Sequence, residues 1–370
     1  MMSRKLGLAV VLVVLAAIAA GCRTVQTTSA ILHNQSGRYD LAIKTANEAL
    51  ATNPNDAEAE FQLGLAYSYL DSVGLAYSHF KRSAQIDPTR ETDAQNNIQS
   101  NFAKHYNKAL NSLKDDDQLA AAAEFERAVE ADPVDAKGYS QLGTVYTRLA
   151  DEDPDSTQAA QYYDKAVTNF DKVLELAKPG DKQYVDALKV AGQILAKTGR
   201  VEEAASRFGR LVEEDPTNYR AIEDIGYDLV NARNWKGASL FLDLAAQARA
   251  KLGADDGTLF FNLGVVNFNL GKDAKDPATL AKAVEYYEKA LALNPTDAAT
   301  VRNGMVVYVF LENWRGAAEW GERFVALSPD DIDGWRTLTR AYNELGDTEK
   351  ARRCELRFDE LRKRGSGTQQ

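Results

Sequence analysis

The chain has 370 residues, with 44 Lys and Arg against 54 Asp and Glu and a formal net charge of −10. That acidic balance argues against binding nucleic acid, which depends on neutralising phosphates, and against adsorbing to anionic headgroups through a basic face. Two cysteines give little scope for disulfides, and the length exceeds one simple core, so several domains or a repeat array are expected.

The first element is a leader. Arg4 and Lys5 precede a charge-free run of 15 residues, Leu6 to Ala20, rich in Leu, Val and Ala. A bilayer-spanning helix needs roughly 20 apolar residues and an export-signal core about 7–15, so the run reads as an export signal. Small residues close it: Ala19-Ala20-Gly21-Cys22. This stretch resembles the bacterial lipobox, with Ala19 where Leu is usual. The resemblance implies cleavage before Cys22, which then carries a thioether-linked diacylglycerol and an acylated amine. One acyl chain gives reversible membrane binding, while two or more hold stably. Arg23 stands where an Asp would mark inner-membrane retention, which implies the outer membrane, facing the periplasm. Residues 1–21 are thus read as a lipoprotein signal peptide and 22–25 as a lipidated, short tether.

From there on, two phrases recur. One reads "AYSHFKRSAQIDP" at 76–88, "AAAEFERAVEADP" at 121–133, "AASRFGRLVEEDP" at 204–216, "AVEYYEKALALNP" at 283–295 and "AAEWGERFVALSP" at 317–329. Upstream stands a Trp–Leu–Gly–Tyr type of phrase, as in "FQLGLAY" (61–67), "YSQLGTVY" (139–146), "FFNLGVVN" (260–267) and "WRTLTRAY" (335–342). Apolar residues at i, i+3 and i+7, such as Tyr139, Leu142 and Tyr146, predict an amphipathic first helix. The recurrent Ala allows close helix approach, and Asn-Pro or Asp-Pro ends the second helix. Gly199 and Gly346 fall in the turn between helices, where a positive φ is useful.

The paired phrases resemble the tetratricopeptide repeat (TPR), a helix–turn–helix unit of about 34 residues. The resemblance implies an all-α TPR solenoid, a right-handed superhelix of about nine units over 26–365. They lie near 26–56, 57–90, 102–135, 136–180, 185–218, 219–252, 257–297, 298–331 and 332–365. Units 136–180 and 257–297 carry insertions of 11 and 7 residues between their helices, and 91–101, 181–184 and 253–256 are gaps. The densely charged last helix suits an exposed cap, and 366–370 is expected to be a disordered tail.

Catalytic chemistry finds no foothold. His33, His79 and His105 occupy different repeat positions, whereas a metal site wants pairs such as i and i+4. Asp151, Asp153 and Asp155 begin like a calcium loop, but Ser156 and Tyr162 stand where that loop wants Gly and Glu. No phosphate-cradling glycine loop or nucleophile elbow appears. The chain is read as a non-enzyme without cofactor or metal. Cys354 reads as a partly covered thiol or, alternatively, one half of an intermolecular disulfide.

In tetratricopeptide proteins first helices line the binding face, and those positions define candidate zones here. The N-terminal zone offers Phe61, Leu65, Tyr69, Tyr106, Leu110 and Leu113. A polar middle zone contains Ser140, Thr144, Arg148, Asp186, Lys189, Gln193 and Lys197. The C-terminal zone offers Tyr227, Val230, Phe261, Val265, Phe268, Val306, Val309 and Phe310, flanked by Asn262, Asn269, Arg302 and Asn303. Either these apolar side chains line a groove for a protein or peptide, with the amides and Arg302 holding its backbone, or they pack on one another. The expected function is a membrane-anchored scaffold or adaptor in assembly of a bacterial envelope complex. The alternatives are a periplasmic holder of exported chains and an accessory subunit docking a cell-wall enzyme.

Overall fold

The computed structural model describes residues 24–367, with side chains through Arg364. The leader, Cys22 and residues 368–370 lie outside the described residues. Among the described residues there are 18 α-helices, two short 3-10 turns and no strand.

By contact the chain divides into two units, 1–187 and 188–370. In the first, helices pair as α1 (Val25–Gln35) with α2 (Tyr39–Thr52), α3 (Ala57–Tyr69) with α4 (Val73–Ile86), α5 (Glu91–Lys114) with α6 (Gln118–Ala131), and α7 (Ala136–Glu152) with α8 (Ser156–Leu176). The boundary falls within α9 (Lys182–Lys197), whose hairpin mate is α10 (Val201–Glu214). The second unit continues with α11 (Tyr219–Asn231), α12 (Trp235–Leu252), α13 (Gly257–Ala274) and α14 (Pro277–Leu293), then α15 (Ala298–Phe310), α16 (Trp314–Leu327), α17 (Ile332–Glu344) and α18 (Thr348–Gly367). Within each unit the helices of a hairpin pack on one another and successive hairpins stack; α10 meets the next hairpin through α12.

Local chemistry sets the ends. Asn53, Asp87, Asp132, Asp215, Asn294 and Ser328 cap the C-termini of second helices with non-helical dihedrals, each immediately before a proline. Proline disfavours the helical region for the residue before it, so the helix stops there. An aspartate then restarts the chain: Asp56, Asp135, Asp297 and Asp331 each accept a backbone N–H in the first turn of the following helix. The turn inside a hairpin passes through positive φ, at Gly199 (+78°) and Gly346 (+75°) as expected, but also at Asp71 (+63°), Arg233 (+56°) and Glu312 (+53°).

Tight helix approach within hairpins rests on a glycine facing a large side chain. A Cβ on Gly64, Gly143, Gly192 or Gly264 would sit 2.3–3.0 Å from Phe80, Phe170, Phe208 or Tyr287 respectively. These large partners are buried and form the inter-helix core. At α15–α16 the arrangement shifts by one residue: Gly304 faces Trp320, while Met305 and Gly321 exchange the usual small and large positions.

The structure corrects three expectations. Residues 91–101 are no gap; they form the first half of α5, a 24-residue helix buried through Ala94 and Ile98. The insertions near 150 and 275 do not form loops. They lengthen α7, α8, α13 and α14, leaving only 153–155 and 275–276 between the paired helices. Asp155 spends its carboxylate capping α8, accepting from the Thr157 and Gln158 N–H groups. The last helix continues to Gly367, into the segment expected to be a disordered tail.

Candidate functional site

On α11, α13 and α15 the helical period brings the expected apolar residues onto the first-helix side of the second unit. Tyr227, Val230, Phe261, Val265, Phe268, Val306 and Val309 are half-buried, and Phe310 is 50% exposed. Phe261, Val265 and Phe268 rest on a core that includes Leu280, Val284, Tyr287 and Val307. Phe268 meets Phe310 edge-on with ring centres 5.2 Å apart, and Phe261 tilts against Tyr287 at 6.0 Å. These side chains therefore do both things the pattern allows: one side packs, and the other stays open to solvent.

The polar neighbours are differently employed. Asn262 Nδ2 donates to the Thr258 carbonyl (2.9 Å) and Asn269 Nδ2 to the Val265 carbonyl (2.8 Å), so their amide donors are turned back on α13. Arg302 is exposed, 4.0 Å from the Asp333 carboxylate of the next hairpin, and Asn303 is half-buried. Burial, with Glu223 next, pushes the Tyr227 hydroxyl up to about 12.

In the first unit Phe61 packs edge-on against Phe80 (5.4 Å) and carries the Arg90 guanidinium 5.2 Å above its ring. Tyr69 is 64% exposed and stacks on Tyr39 at 4.6 Å. Tyr106 is sandwiched by Phe102 and Phe125, each at 5.3 Å, while Leu65, Leu110 and Leu113 are half-buried. Much of this zone is thus already occupied by its own neighbours.

Two openings were not anticipated. In the second unit Gln193 and Lys197 line a cavity of about 530 Å³ whose other wall is Asp224, Ile225, Asp228 and Leu229 of α11. The i, i+4 spacing of the two aspartates was the available signal. A second cavity, of about 650 Å³, opens on the side of the second helices, against α12 and α14.

The histidines serve the scaffold. His79 Nδ1 lies 2.6 Å from Glu60, with its ring stacked on Tyr67. His105 is buried, with Nδ1 2.8 Å from Glu124 and Nε2 3.2 Å from Asp71. Among the described residues no group of three or more His, Cys, Asp or Glu is arranged to hold a metal ion. Cys354 is buried in α18, and burial pushes its thiol up.

Residues 28–90, 155–219 and 279–297 match family models described as tetratricopeptide repeat. These segments are tetratricopeptide repeats. With the helical hairpins on either side of them they make the fold an all-α TPR array. The TPR repeat-containing protein MJ1428 of Methanocaldococcus jannaschii is 21% identical over 324 residues, 85% of this chain and 54% of that protein. Protein O-mannosyl-transferase TMTC3 of Homo sapiens is 21% identical over 354 residues, 86% of this chain and 37% of that protein. The chain thus spans about half of the first relative and about a third of the second. Among solved structures, Pseudomonas aeruginosa pilF is 17% identical, covering 71% of this chain and 93% of that one, with a TM-score of 0.31. The TPR domain of P58(IPK) is 11% identical, covering 88% and 98%, with a TM-score of 0.29. Tetratricopeptide arrays are generally non-catalytic scaffolds that bind proteins or peptides.

Proposed function

We propose that the chain is a lipid-anchored, non-catalytic scaffold of the bacterial envelope that gathers a protein partner on the first-helix side of α11, α13 and α15. The observation that carries this reading is the aromatic and aliphatic stripe there, packed on one side and open on the other, ending in the half-exposed Phe310. Apolar surface of this kind on a repeat scaffold marks an interaction site. The anchoring half of the proposal rests on Ala19-Ala20-Gly21-Cys22 after a charge-free run, with Arg23 favouring the outer membrane and residence in the periplasm.

A photo-crosslinker in place of Phe310 tests the partner. One stoichiometric adduct supports a fixed scaffold of an envelope complex. A smear of exported chains supports a chaperone-like holder instead, and a cell-wall enzyme supports an accessory subunit. Phe261→Asp with Phe310→Asp should abolish the adduct's co-purification while the helical circular dichroism is retained; a partner that still co-purifies with the folded double variant sinks the proposal. Cys22→Ser should move the protein from the membrane fraction to the soluble periplasm, and retention in membranes would overturn the lipid anchor.

A further inference from the structure

The cavity on the second-helix side sits where the repeat pattern breaks. α12 has no proline at its end and runs for 18 residues before Gly253, at φ +62°, turns the chain. A four-residue link, 253–256, then leads into α13, and a space of about 650 Å³ is left between α12 and α14. That volume falls within the roughly 300–1,000 Å³ range of ligand sites. Small residues, Ala246 and Ala250 from α12 and Ala292 from α14, contribute apolar wall. Phe260 and Tyr286 supply an aromatic wall, their rings 21° from parallel with centres 6.4 Å apart.

Four charged groups line this space: Asp243, Asp255, Lys282 and Lys289. Asp243 is already answered. It accepts from the Tyr286 hydroxyl (2.8 Å) and Ser239 Oγ (3.2 Å), and Lys282 Nζ lies 3.8 Å away. Asp255 is exposed on the link between the hairpins. Lys289 differs from Lys282. Its ammonium stands 5.7 Å from the centre of Phe260 and 5.3 Å from that of Tyr286, yet no carboxylate among the described residues pairs with it. A cation steadied over two ring faces beside small apolar walls complements a carboxylate borne next to an apolar side chain.

We propose that this cavity is a second docking site, for an acidic peptide segment of a partner protein. The segment's carboxylate meets Lys289, and an adjoining apolar side chain lies against Ala246 and Ala250. The site uses no residue of the α11, α13 and α15 stripe, so the two sites fail independently.

A random peptide library displayed on phage and selected on the purified full chain tests this. Clones are sorted by whether binding is lost in Lys289→Glu, in Ala246→Trp, which fills the cavity without altering charge, or in Phe310→Asp. The expected result is a class carrying Asp or Glu beside an apolar residue. Its affinity falls about tenfold or more in Lys289→Glu and Ala246→Trp, survives Lys289→Arg and ignores Phe310→Asp. Unchanged circular dichroism shows that these variants remain folded. Recovery only of clones indifferent to both cavity variants, or of basic peptides as the Lys289-dependent class, overturns the proposal. A class that depends only on Phe310 supports the first-helix site and removes this one.

Discussion

The Tyr286 hydroxyl donates to Asp243 Oδ1 at 2.8 Å, joining α14 to the second helix of the preceding hairpin. Lys282 completes a trio, 3.8 Å from Asp243 and 5.4 Å from the centre of the Tyr286 ring. The same trio recurs elsewhere. Tyr146 donates to Glu126 with Lys165 at 4.8 Å from its ring, and Tyr342 donates to Glu322 with Lys350 at 4.9 Å. The tyrosine comes from a first helix in the latter two cases and from a second helix at Tyr286. A carboxylate, a tyrosine and a lysine thus fasten neighbouring hairpins at three junctions.

Removing one hydroxyl should loosen one junction. Tyr286→Phe takes a donor from Asp243 but leaves Ser239 and Lys282, so the cost is expected near 1 kcal/mol in urea unfolding at neutral pH. Alkaline pH probes the same bond. Burial first, and the bonded Asp243 next, raise the Tyr286 hydroxyl above its ordinary value. A group raised in the folded state contributes stability that is complete below its unfolded value and lost as pH rises through the folded one. Wild-type stability should therefore decline above about pH 10, the ordinary tyrosine value, and the decline should be shallower in Tyr286→Phe. An identical alkaline limb in the two proteins would remove Tyr286 from the account.

Glycine positions make a sharper test of helix approach. A Cβ on Gly304 would stand 2.0 Å from Trp320 Cζ3, so Trp320 must move or α15 must separate from α16. Gly304→Ala should cost about 1–3 kcal/mol, as overpacking does in close-packed cores. Gly74 in α4 is the control, because a Cβ there meets nothing closer than 3.8 Å. Gly74→Ala should stabilise by up to about 1 kcal/mol through helix propensity. Thermal melts of both variants decide the matter; equal effects would show that close approach is not what Gly304 provides.

Gly64, Gly143 and Gly264 and the Pro-ended second helices stand in the recurring phrases, which is why the hairpin order was legible in the sequence. What the phrases could not show is how an insertion is absorbed. Residues near 150 and 275 extend existing helices, and an alignment of repeat positions treats an extended helix and a loop alike. The 91–101 stretch offered only Ala94 and Ile98 as buried anchors, too sparse a pattern to mark the start of α5. The stripe ending at Phe310 was legible, since repeat position alone selects it. The cavity at Lys289 was not. It depends on a missing proline after α12 and on Phe260, Tyr286 and Lys289 converging from α13 and α14, and none of these is among the binding-face positions that select the stripe.

Acid should reveal the polar network around His105. Burial works against the Glu124 charge, but hydrogen bonds from Lys108 and His105 outweigh it and hold that carboxyl below its ordinary value. Asp71 is lowered as well, first by the Lys104 hydrogen bond, against burial and with the charges of His105 and Arg127. A carboxyl depressed in the folded state contributes stability that is complete above its unfolded value and lost as pH falls through the folded one. Both groups therefore place their loss below about pH 4.5, beneath the ordinary carboxylate range. Glu124→Gln removes one of them. At neutral pH it should cost about 1–3 kcal/mol, since it strips a charged partner from buried His105 and from Lys108. Below about pH 4.5 the variant's urea midpoint should fall less steeply than that of the wild type, because the Glu124 share of the loss is gone. Midpoints measured from pH 3 to 7 check both halves, and parallel acid limbs would show that Glu124 is not depressed by its partners.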